Sequence, residues 1–248
     1  MTKMFDFTDK KIMVTGASSG IGRAAAVLLD SLGAELVLCD RDEENLQKVV
    51  SELSHARGIP FDLLSFDYYD GLFSQAVSEG KKLSGLVHCA GVVKVTPLKI
   101  MQPQLISGIM DINFTSFMML CSYYSKKKYS DGGSIVGISA ANAHTPQKCM
   151  SVYAASKAAV EASVKTMALE LAKSNIRINC IAPGAVNTPM SQNTDEETLK
   201  KIVSCQLLGM CEPSQIASVA AFLLSDASSA ITGRTVFADG GMLGQTAD

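Results

Sequence analysis

The chain has 248 residues and a mass of 26.3 kDa, enough for one large α/β domain or for two small ones. Hydrophobic residues make up 47% and charged residues 19% of the chain, a globular balance that excludes an intrinsically disordered protein. The formal net charge of −2 gives no electrostatic reason to expect nucleic acid or an anionic membrane as a partner.

The sequence gives little sign of a membrane-spanning or targeting segment, of a disulfide framework or of a metal site. The longest apolar runs have the length of strands and are interrupted by Gly, Asp or Ser, so no membrane-spanning helix is predicted. The N-terminus lacks the apolar stretch of a signal peptide, and a cytoplasmic protein is expected. The seven cysteines and three histidines are scattered without the spacing of metal ligands, so neither a disulfide framework nor a metal site is expected.

Short apolar runs alternate with amphipathic stretches along the chain, a pattern typical of βαβ units and a parallel sheet. The predicted strands are 11–15, 35–39, 61–66, 86–89, 134–138, 177–181 and 235–238. The predicted helices are about 21–32, 42–54, 70–79, 102–128, 152–174 and 213–224. Because no linker or internal repeat divides the chain, residues 1–248 are predicted to form one domain.

A glycine-rich segment, 15–22, follows the first predicted strand and opens a helix. Glycines allow a sharp turn and let backbone N–H groups approach a pyrophosphate at the positive end of a helix. The alternative is a simple strand-to-helix turn, but the position after the first strand favours cofactor binding. The residues of this loop that are predicted to contact the cofactor are Gly16, Ser18, Ser19, Gly20, Ile21 and Gly22.

Asp40 ends the second predicted strand and is followed by Arg41. A carboxylate at this place can accept hydrogen bonds from the adenosine ribose and repels a 2′-phosphate, which favours NAD(H). A guanidinium at the next position can bind that phosphate, so Arg41 leaves NADP(H) open. The simpler alternative for Asp40 is that it caps the helix that follows.

Tyr153 and Lys157 lie four residues apart in an alanine-rich stretch, which predicts one face of a helix. An ammonium beside a phenol favours the phenolate, so the pKa of Tyr153 is predicted to fall towards neutral pH. A tyrosine tuned in this way can act as a general acid or base. Taken alone, the spacing favours the simpler alternative of an aromatic ring packed on a lysine stem at a helix surface.

The segment 189–210 breaks the alternation with a polar run followed by a helical stretch, 198–208. It is either a polar surface excursion or a lid that covers the substrate, because long irregular insertions in compact domains are often functional. The local sequence favours neither alternative.

Further polar and small residues lie at or after the predicted strands, and one lies inside a predicted helix. Those at or after strands are Asp67 with Tyr68, the segment His88-Cys89-Ala90-Gly91, Ser139 and the segment 183–188, while Asn113 lies within the helix predicted at about 102–128. Together with the glycine loop and the Tyr153–Lys157 pair, they resemble the short-chain dehydrogenase/reductase family nearly from end to end, from residue 11 to residue 241. The family usually has Asn-Asn-Ala-Gly where this chain has 88–91, and His88 is interpreted as a structural substitute.

The resemblance implies further cofactor contacts. Asp67 is expected at the adenine with Tyr68 beside it, and the small residues Ala90 and Gly91 are expected to admit the cofactor. The segment expected to hold the nicotinamide carboxamide contributes Pro183, Gly184, Val186 and Thr188.

The resemblance also implies four catalytic residues. Tyr153 is expected to supply or take the proton on the substrate oxygen, and Lys157 to lower its pKa and bind the nicotinamide ribose. Ser139 is expected to orient and polarise the substrate oxygen. Asn113 is expected to hold a water that links Lys157 to solvent.

The implied fold is a single Rossmann domain with a seven-stranded parallel sheet in the order 3-2-1-4-5-6-7 and helices on both faces. The implied function is an NAD(P)-dependent oxidoreductase that interconverts a small secondary alcohol and a ketone, assembled as a homotetramer or homodimer. One alternative is a 3-oxoacyl-[acyl-carrier-protein] reductase using NADPH, the branch that the chain resembles most. An alternative of another class is an NAD(H)-binding regulator or scaffold without catalysis.

Overall fold

The structure is a computed structural model, and it describes residues 5–78, 80–192 and 194–242. The described residues form one seven-stranded sheet in which all neighbouring strands are parallel. The strands are β1 Lys11–Thr15, β2 Glu35–Asp40, β3 Ala56–Pro60, β4 Leu83–His88, β5 Ser130–Ile138, β6 Ile176–Pro183 and β7 Thr235–Ala238.

The order of the strands is β3-β2-β1-β4-β5-β6-β7, which confirms the predicted fold class and strand order. The chain reverses direction across the sheet between β1 and β4, where Thr15 pairs with His88. In open parallel sheets the crevice for a ligand lies at the carboxyl ends of the strands on either side of such a reversal. The sheet order therefore indicates where the functional site must be sought.

Helices cover both faces of the sheet. The α-helices are α1 Gly20–Ser31, α2 Glu43–Ser51, α3 Tyr69–Ala76, α4 Pro103–Met110, α5 Ser116–Tyr124, α6 Ser151–Leu171, α7 Pro189–Gln192, α8 Glu196–Ser204 and α9 Pro213–Leu224. Side chains of α1, α2 and α9 form one core with alternate strand residues such as Ile12 and Val14. Side chains of α3, α5 and α6 form the other core with the residues between them, such as Met13. Because both faces of the sheet are buried, the central strands are nearly continuous runs of apolar residues.

The third strand was predicted wrongly, as 61–66, whereas β3 is Ala56–Pro60. The sequence of β3 contains Ala, Gly and Pro, which are poor strand formers, and the apolar run after it misled the prediction. This strand tolerates Pro60 because it lies at the edge of the sheet and pairs with β2 alone.

The helix predicted at about 102–128 is a continuous helical segment with a π-helical turn, Asp111–Thr115, between α4 and α5. By length and composition alone, Pro103–Tyr124 could cross a membrane, which the sequence analysis did not predict. A core helix passes the same test, and 33% of the apolar stretch is buried, with Phe117, Leu120 and Tyr124 fully buried in the core around the sheet.

Candidate active site

One cleft of about 500 Å³ runs along the carboxyl ends of the strands on both sides of the reversal. Most of the residues predicted from the sequence line this cleft: Gly16, Ser18, Ser19, Gly20, Ile21, Gly22, Asp40, Arg41, Ala90, Gly91, Ser139, Tyr153, Lys157, Pro183, Gly184, Val186 and Thr188. Asn113 is fully buried behind the lining, and Asp67 and Tyr68 are exposed outside it. The topology thus brings the glycine loop and the Tyr153–Lys157 pair into one cavity.

The glycine loop packs so closely that side chains cannot replace its glycines. Gly16 has φ +67°, and a Cβ there would lie 2.7 Å from the backbone nitrogen of Ala90. A Cβ on Gly22 would lie 2.1 Å from the carbonyl oxygen of Gly16. Both distances are far below van der Waals contact, so this turn requires glycine.

The loop delivers the N-terminus of α1 to the cleft. Ser19 is the N-cap residue, and its side chain caps none of the N–H groups in the described first turn. The leading N–H groups of a helix have no partner within the helix and carry partial positive charge. These N–H groups suit the pyrophosphate of a dinucleotide. The residues around Gly16 are small, which lets the backbone of the loop approach that pyrophosphate.

Asp40 is held rigidly at the end of β2. Its Oδ2 accepts hydrogen bonds from the backbone N–H of Ser18 at 3.1 Å and from the Ser18 hydroxyl at 2.7 Å. Its Oδ1 accepts from the N–H of Asp42 at 3.0 Å. The same end of the cleft is lined by Asp42, Asp62 and the exposed Arg41, so three carboxylates face one guanidinium.

The placement of Asp67 and Tyr68 beside the adenine is corrected by the structure. Because β3 ends at Pro60, the residues that follow it into the cleft are Phe61, Asp62 and Leu63. Asp67 and Tyr68 instead form the 3-10 turn before α3, where the Tyr68 side chain is 70% exposed. The error follows directly from the misplaced strand.

Tyr153 and Lys157 lie one turn apart on α6, as predicted. The Lys157 Nζ lies 5.9 Å from the centroid of the Tyr153 ring and donates a hydrogen bond to the carbonyl oxygen of Ile138 at 2.8 Å. Lys157 is 5% exposed, and its ammonium is anchored to the end of β5.

Burial dominates the titration of this pair and reverses one expectation. Desolvation raises the pKa of Tyr153 to about 12, whereas the sequence predicted that the lysine would lower it. Desolvation also lowers the pKa of Lys157 to about 8, because burial disfavours its charged form. The ammonium donates its hydrogen bond to the carbonyl oxygen of Ile138, and desolvation sets the direction in which the pKa of Tyr153 shifts.

Asn113 lies in the π-helical turn and connects two segments behind the cleft. Its Oδ1 accepts from the N–H of Val92 at 2.8 Å, and its Nδ2 donates to the carbonyl oxygen of Val92 and to the Ser156 hydroxyl, both at 3.0 Å. A Cβ on Gly91 would lie 3.1 Å from Asn113 Oδ1 and 3.3 Å from Lys157 Nζ. Asn113 and Lys157 therefore meet at Gly91, while the predicted water-holding role of Asn113 stays a prediction.

The contacts of Ser139 disagree with its predicted role. Its Oγ lies 2.6 Å from Glu161 Oε1 and 3.1 Å from the carbonyl oxygen of Lys157, both on α6. A hydroxyl has a single hydrogen, and here both acceptors for it belong to the protein. Although Ser139 borders the cleft, its hydroxyl donates into the helix rather than towards a substrate oxygen.

Glu161 and Gln206 are two buried residues that the sequence analysis missed. Besides Ser139, Glu161 Oε2 lies 2.7 Å from His144 Nε2 and 3.3 Å from Thr235 Oγ1, which satisfies a buried carboxylate. Its position one turn after Lys157 was the available signal. Gln206, in the segment 189–210, accepts from the N–H of Ala185 and donates to the carbonyl oxygen of Gly209 at 2.7 Å.

Gln206 thereby joins the end of the predicted lid to the segment 183–188. It is 4% exposed, although glutamine is usually a surface residue, so its type gave no signal of this role. The predicted helix 198–208 is α8, Glu196–Ser204, and Leu199 and Ile202 from it line the cleft.

His88 occupies a buried structural position, in agreement with its interpretation. Its Nδ1 lies 2.8 Å from Thr15 Oγ1, its Nε2 lies 3.4 Å from Ser116 Oγ, and its ring stacks on Phe117. Desolvation, and then the charge of Lys157, lowers the pKa of His88 to about 3. The ring is therefore neutral and links β1, β4 and α5.

Comparisons with known proteins point to one family. A family model described as enoyl-(acyl carrier protein) reductase matches residues 16–243. The chain is 32% identical to a 3-oxoacyl-[acyl-carrier-protein] reductase of Thermotoga maritima, over 94% of this chain and 98% of that protein. It is 33% identical to a glucose 1-dehydrogenase of Gluconobacter oxydans, over 95% of this chain and 92% of that protein.

A solved structure of a short-chain dehydrogenase/reductase from Brucella melitensis, described as glucose/ribitol dehydrogenase, has a TM-score of 0.91 to this chain. The two are 30% identical, and the match covers 98% of this chain and 99% of that one. The fold and the cleft define an oxidoreductase of the NAD(P)-dependent type that acts on CH–OH or C=O groups. The chain belongs to the short-chain dehydrogenase/reductase family.

Proposed function

We propose that this protein is an NAD-dependent oxidoreductase that interconverts a neutral, largely apolar secondary alcohol and the corresponding ketone. The observation that carries the proposal is one shared cleft, which the glycine loop, Tyr153 and Lys157 all line. Belonging to a family of oxidoreductases argues against the alternative of a binding scaffold without catalysis.

A bound nicotinamide dinucleotide supplies or accepts the hydride in such a reaction. Tyr153 gives a proton to the substrate oxygen during ketone reduction and takes it back during alcohol oxidation. Burial lowers the pKa of Lys157 to about 8, which is close to neutral pH. Its ammonium would attract the oxygen of a ligand placed between it and Tyr153. The raised pKa of Tyr153 keeps it in the neutral, proton-donating form at neutral pH.

The charges near the end of β2 support NAD(H) over NADP(H). A 2′-phosphate would face the carboxylate of Asp40, which Ser18 already fixes in place, with Asp42 and Asp62 nearby. Arg41 is the one guanidinium among the described residues of this lining, and it is exposed. Repulsion from the carboxylates is therefore expected to outweigh its attraction.

The other end of the cleft supports a neutral, apolar substrate. The side chains that surround it are mostly aliphatic or sulfur-containing: Val93, Ala140, Ala141, Met150, Met190, Leu199, Ile202 and Met242. Among the described residues lining this end, Lys157 is the charged group, and its ammonium is bonded to Ile138. A substrate with its own charge would be desolvated here without a partner.

A 3-oxoacyl-[acyl-carrier-protein] reductase using NADPH is the rival proposal, supported by the relative from Thermotoga maritima. The glucose 1-dehydrogenase is about equally similar, so identity does not select between these substrates. The carboxylates around Asp40 favour the NAD-dependent alternative.

We further propose a cytoplasmic homotetramer, with a homodimer as the smaller alternative. The family resemblance implies that the helices predicted at about 102–128 and 152–174 pack against their counterparts in a second copy. Exposed apolar side chains lie on both, with Ile106 on α4 41% exposed and Leu169 on α6 78% exposed. Apolar groups in such positions gain free energy when a second copy covers them.

Titration of the purified protein with NADH and with NADPH tests the cofactor choice. NADH is expected to bind at least about tenfold more tightly, a difference of about 1.4 kcal/mol. In the Asp40→Asn variant, which removes the charge but keeps an acceptor for Ser18, this preference should shrink. A screen of apolar ketones and a carrier-bound 3-oxoacyl substrate follows with the preferred cofactor. Tighter binding of NADPH by the wild type would contradict the proposal.

A further inference from the structure

The hydroxyl that the sequence assigned to the substrate oxygen is already used inside the protein. Ser139 continues β5, and its N–H donates to the carbonyl oxygen of Ile181 at 2.7 Å. Its side chain points towards α6, where Glu161 accepts its hydrogen bond. The next residue, Ala140, has extended backbone and lines the cleft with a methyl group. Successive side chains of extended backbone point to opposite sides, which explains why the hydroxyl and the cleft are separated.

A second polar side chain follows immediately. Asn142 lies in the short 3-10 turn Ala141–Ala143, which packs against α6, and it lines the same cleft as Tyr153. Its Oδ1 is buried and has no hydrogen-bond partner among the described residues. Its Nδ2 makes a single long contact, 3.4 Å to the carbonyl oxygen of Thr145.

The amide of Asn142 has a donor to spare. Its Nδ2 carries two hydrogens and meets one acceptor among the described residues, at 3.4 Å, so one N–H remains for a ligand in the cleft. The buried Oδ1 can only accept a hydrogen bond, so it takes no part in binding the reacting oxygen of a ketone. In this cleft the ligand next to Tyr153 is the substrate.

We propose that Asn142, rather than Ser139, donates the hydrogen bond that binds and polarises the reacting oxygen of the substrate. This inference rests on the proposed function. Asn142 transfers no proton: Tyr153 supplies or takes the proton, while the Nδ2–H of Asn142 stabilises negative charge that develops on the oxygen. The hydrogen bond from Ser139 to Glu161 then holds the end of β5 against α6.

Gln147 also lines the cleft and carries an amide. Two features favour Asn142 for this role. It lies directly beyond the end of β5, and its shorter side chain sits in a helical turn packed on the helix that carries Tyr153. A donor to a developing charge must be fixed in position before the reaction, and a short side chain on a packed turn meets this requirement.

The test compares Asn142→Ala, Asn142→Asp and Ser139→Ala with the wild type, using NADH and an apolar ketone found in the screen. Asn142→Ala is expected to lower kcat/KM about 100-fold, as removal of one such donor does elsewhere. The Asp variant is expected to lose at least as much, because a carboxylate repels the developing charge. Ser139→Ala should lose at least about ten times less kcat/KM than Asn142→Ala, and instead lower the melting temperature.

Two further measurements separate the possible results. NADH binding, followed by its fluorescence, should be similar in all variants, and quenching of that signal by an unreactive ketone analogue should weaken in Asn142→Ala alone. If Ser139→Ala loses more activity than Asn142→Ala in an active enzyme, the inference is overturned while the proposed function stands. A wild type that binds NADH but turns over no ketone would overturn the proposed function and this inference with it.

Discussion

Tyr153 and Lys157 illustrate how burial changes the chemistry that two residue types suggest. The spacing of the pair was predictable from the sequence, since four residues separate neighbours on one helix face. The titration was not predictable, because it depends on which atoms surround the pair. Desolvation raises the pKa of Tyr153 to about 12 and lowers that of Lys157 to about 8. The direction of the Ser139 hydroxyl was hidden for the same reason, because Glu161 becomes its neighbour through the fold.

His88 gives a prediction that depends on one titrating group. Its pKa is about 3 in the folded protein and near 6.5 when unfolded, so between these values the unfolded chain binds more protons. Stability is therefore fully present above pH 6.5 and falls on acidification, by about 1.4 kcal/mol per pH unit from this group. The His88→Asn variant should lose this part of the slope in urea denaturation between pH 4 and pH 6.

The control for that measurement is His55→Asn. The side chain of His55 is 62% exposed, so removal of this histidine should change the pH slope much less. Equal slopes for the wild type and His88→Asn would show that the buried histidine is not the group that makes the fold sensitive to acid.

At the level of elements, the strand-to-helix turn at 15–22 was predictable and β3 was not. Glycine spacing after an apolar run is a local signal, and the turn forms where it was expected. The bounds of β3 depend on its pairing with β2, in which Asp40 lies opposite Pro60. This register is set by contacts between two strands, so it cannot be predicted from the sequence of β3 alone. This error moved the expected adenine contact to Asp67, which lies outside the cleft, from Asp62, which lines it.

The glycine turn gives a prediction with a matched control. In Gly16→Ala, a side chain in left-handed backbone would press on the backbone of Ala90, so we expect a loss of about 2 kcal/mol or more in unfolding free energy and weaker NADH binding. Gly71→Ala, within α3, places its methyl where no described atom lies within 4 Å. This control should gain about 0.5–1 kcal/mol. Similar stability and NADH binding in both variants would contradict the close packing of the loop.

For the molecule as a whole, the strand order that the family resemblance implied is confirmed, and it is the most informative feature. Alternating apolar runs and helices predicted a parallel sheet, and the observed order brings the ends of β1, β4, β5 and β6 to one cleft. What the pattern could not supply is the set of contacts made by long-range packing, such as Gln206 on Ala185. The extension of the prediction to one domain and to a tetramer stays a proposal.

The central claim is that the cleft positions Tyr153 as the acid and base of a hydride-transfer enzyme. Turnover by the Tyr153→Phe variant tests it most directly, because phenylalanine keeps the ring and removes only the hydroxyl. We expect NADH binding within about twofold of the wild type and a loss of kcat of at least about 100-fold, the usual contribution of a general acid or base. Full retained turnover in this variant would contradict the account.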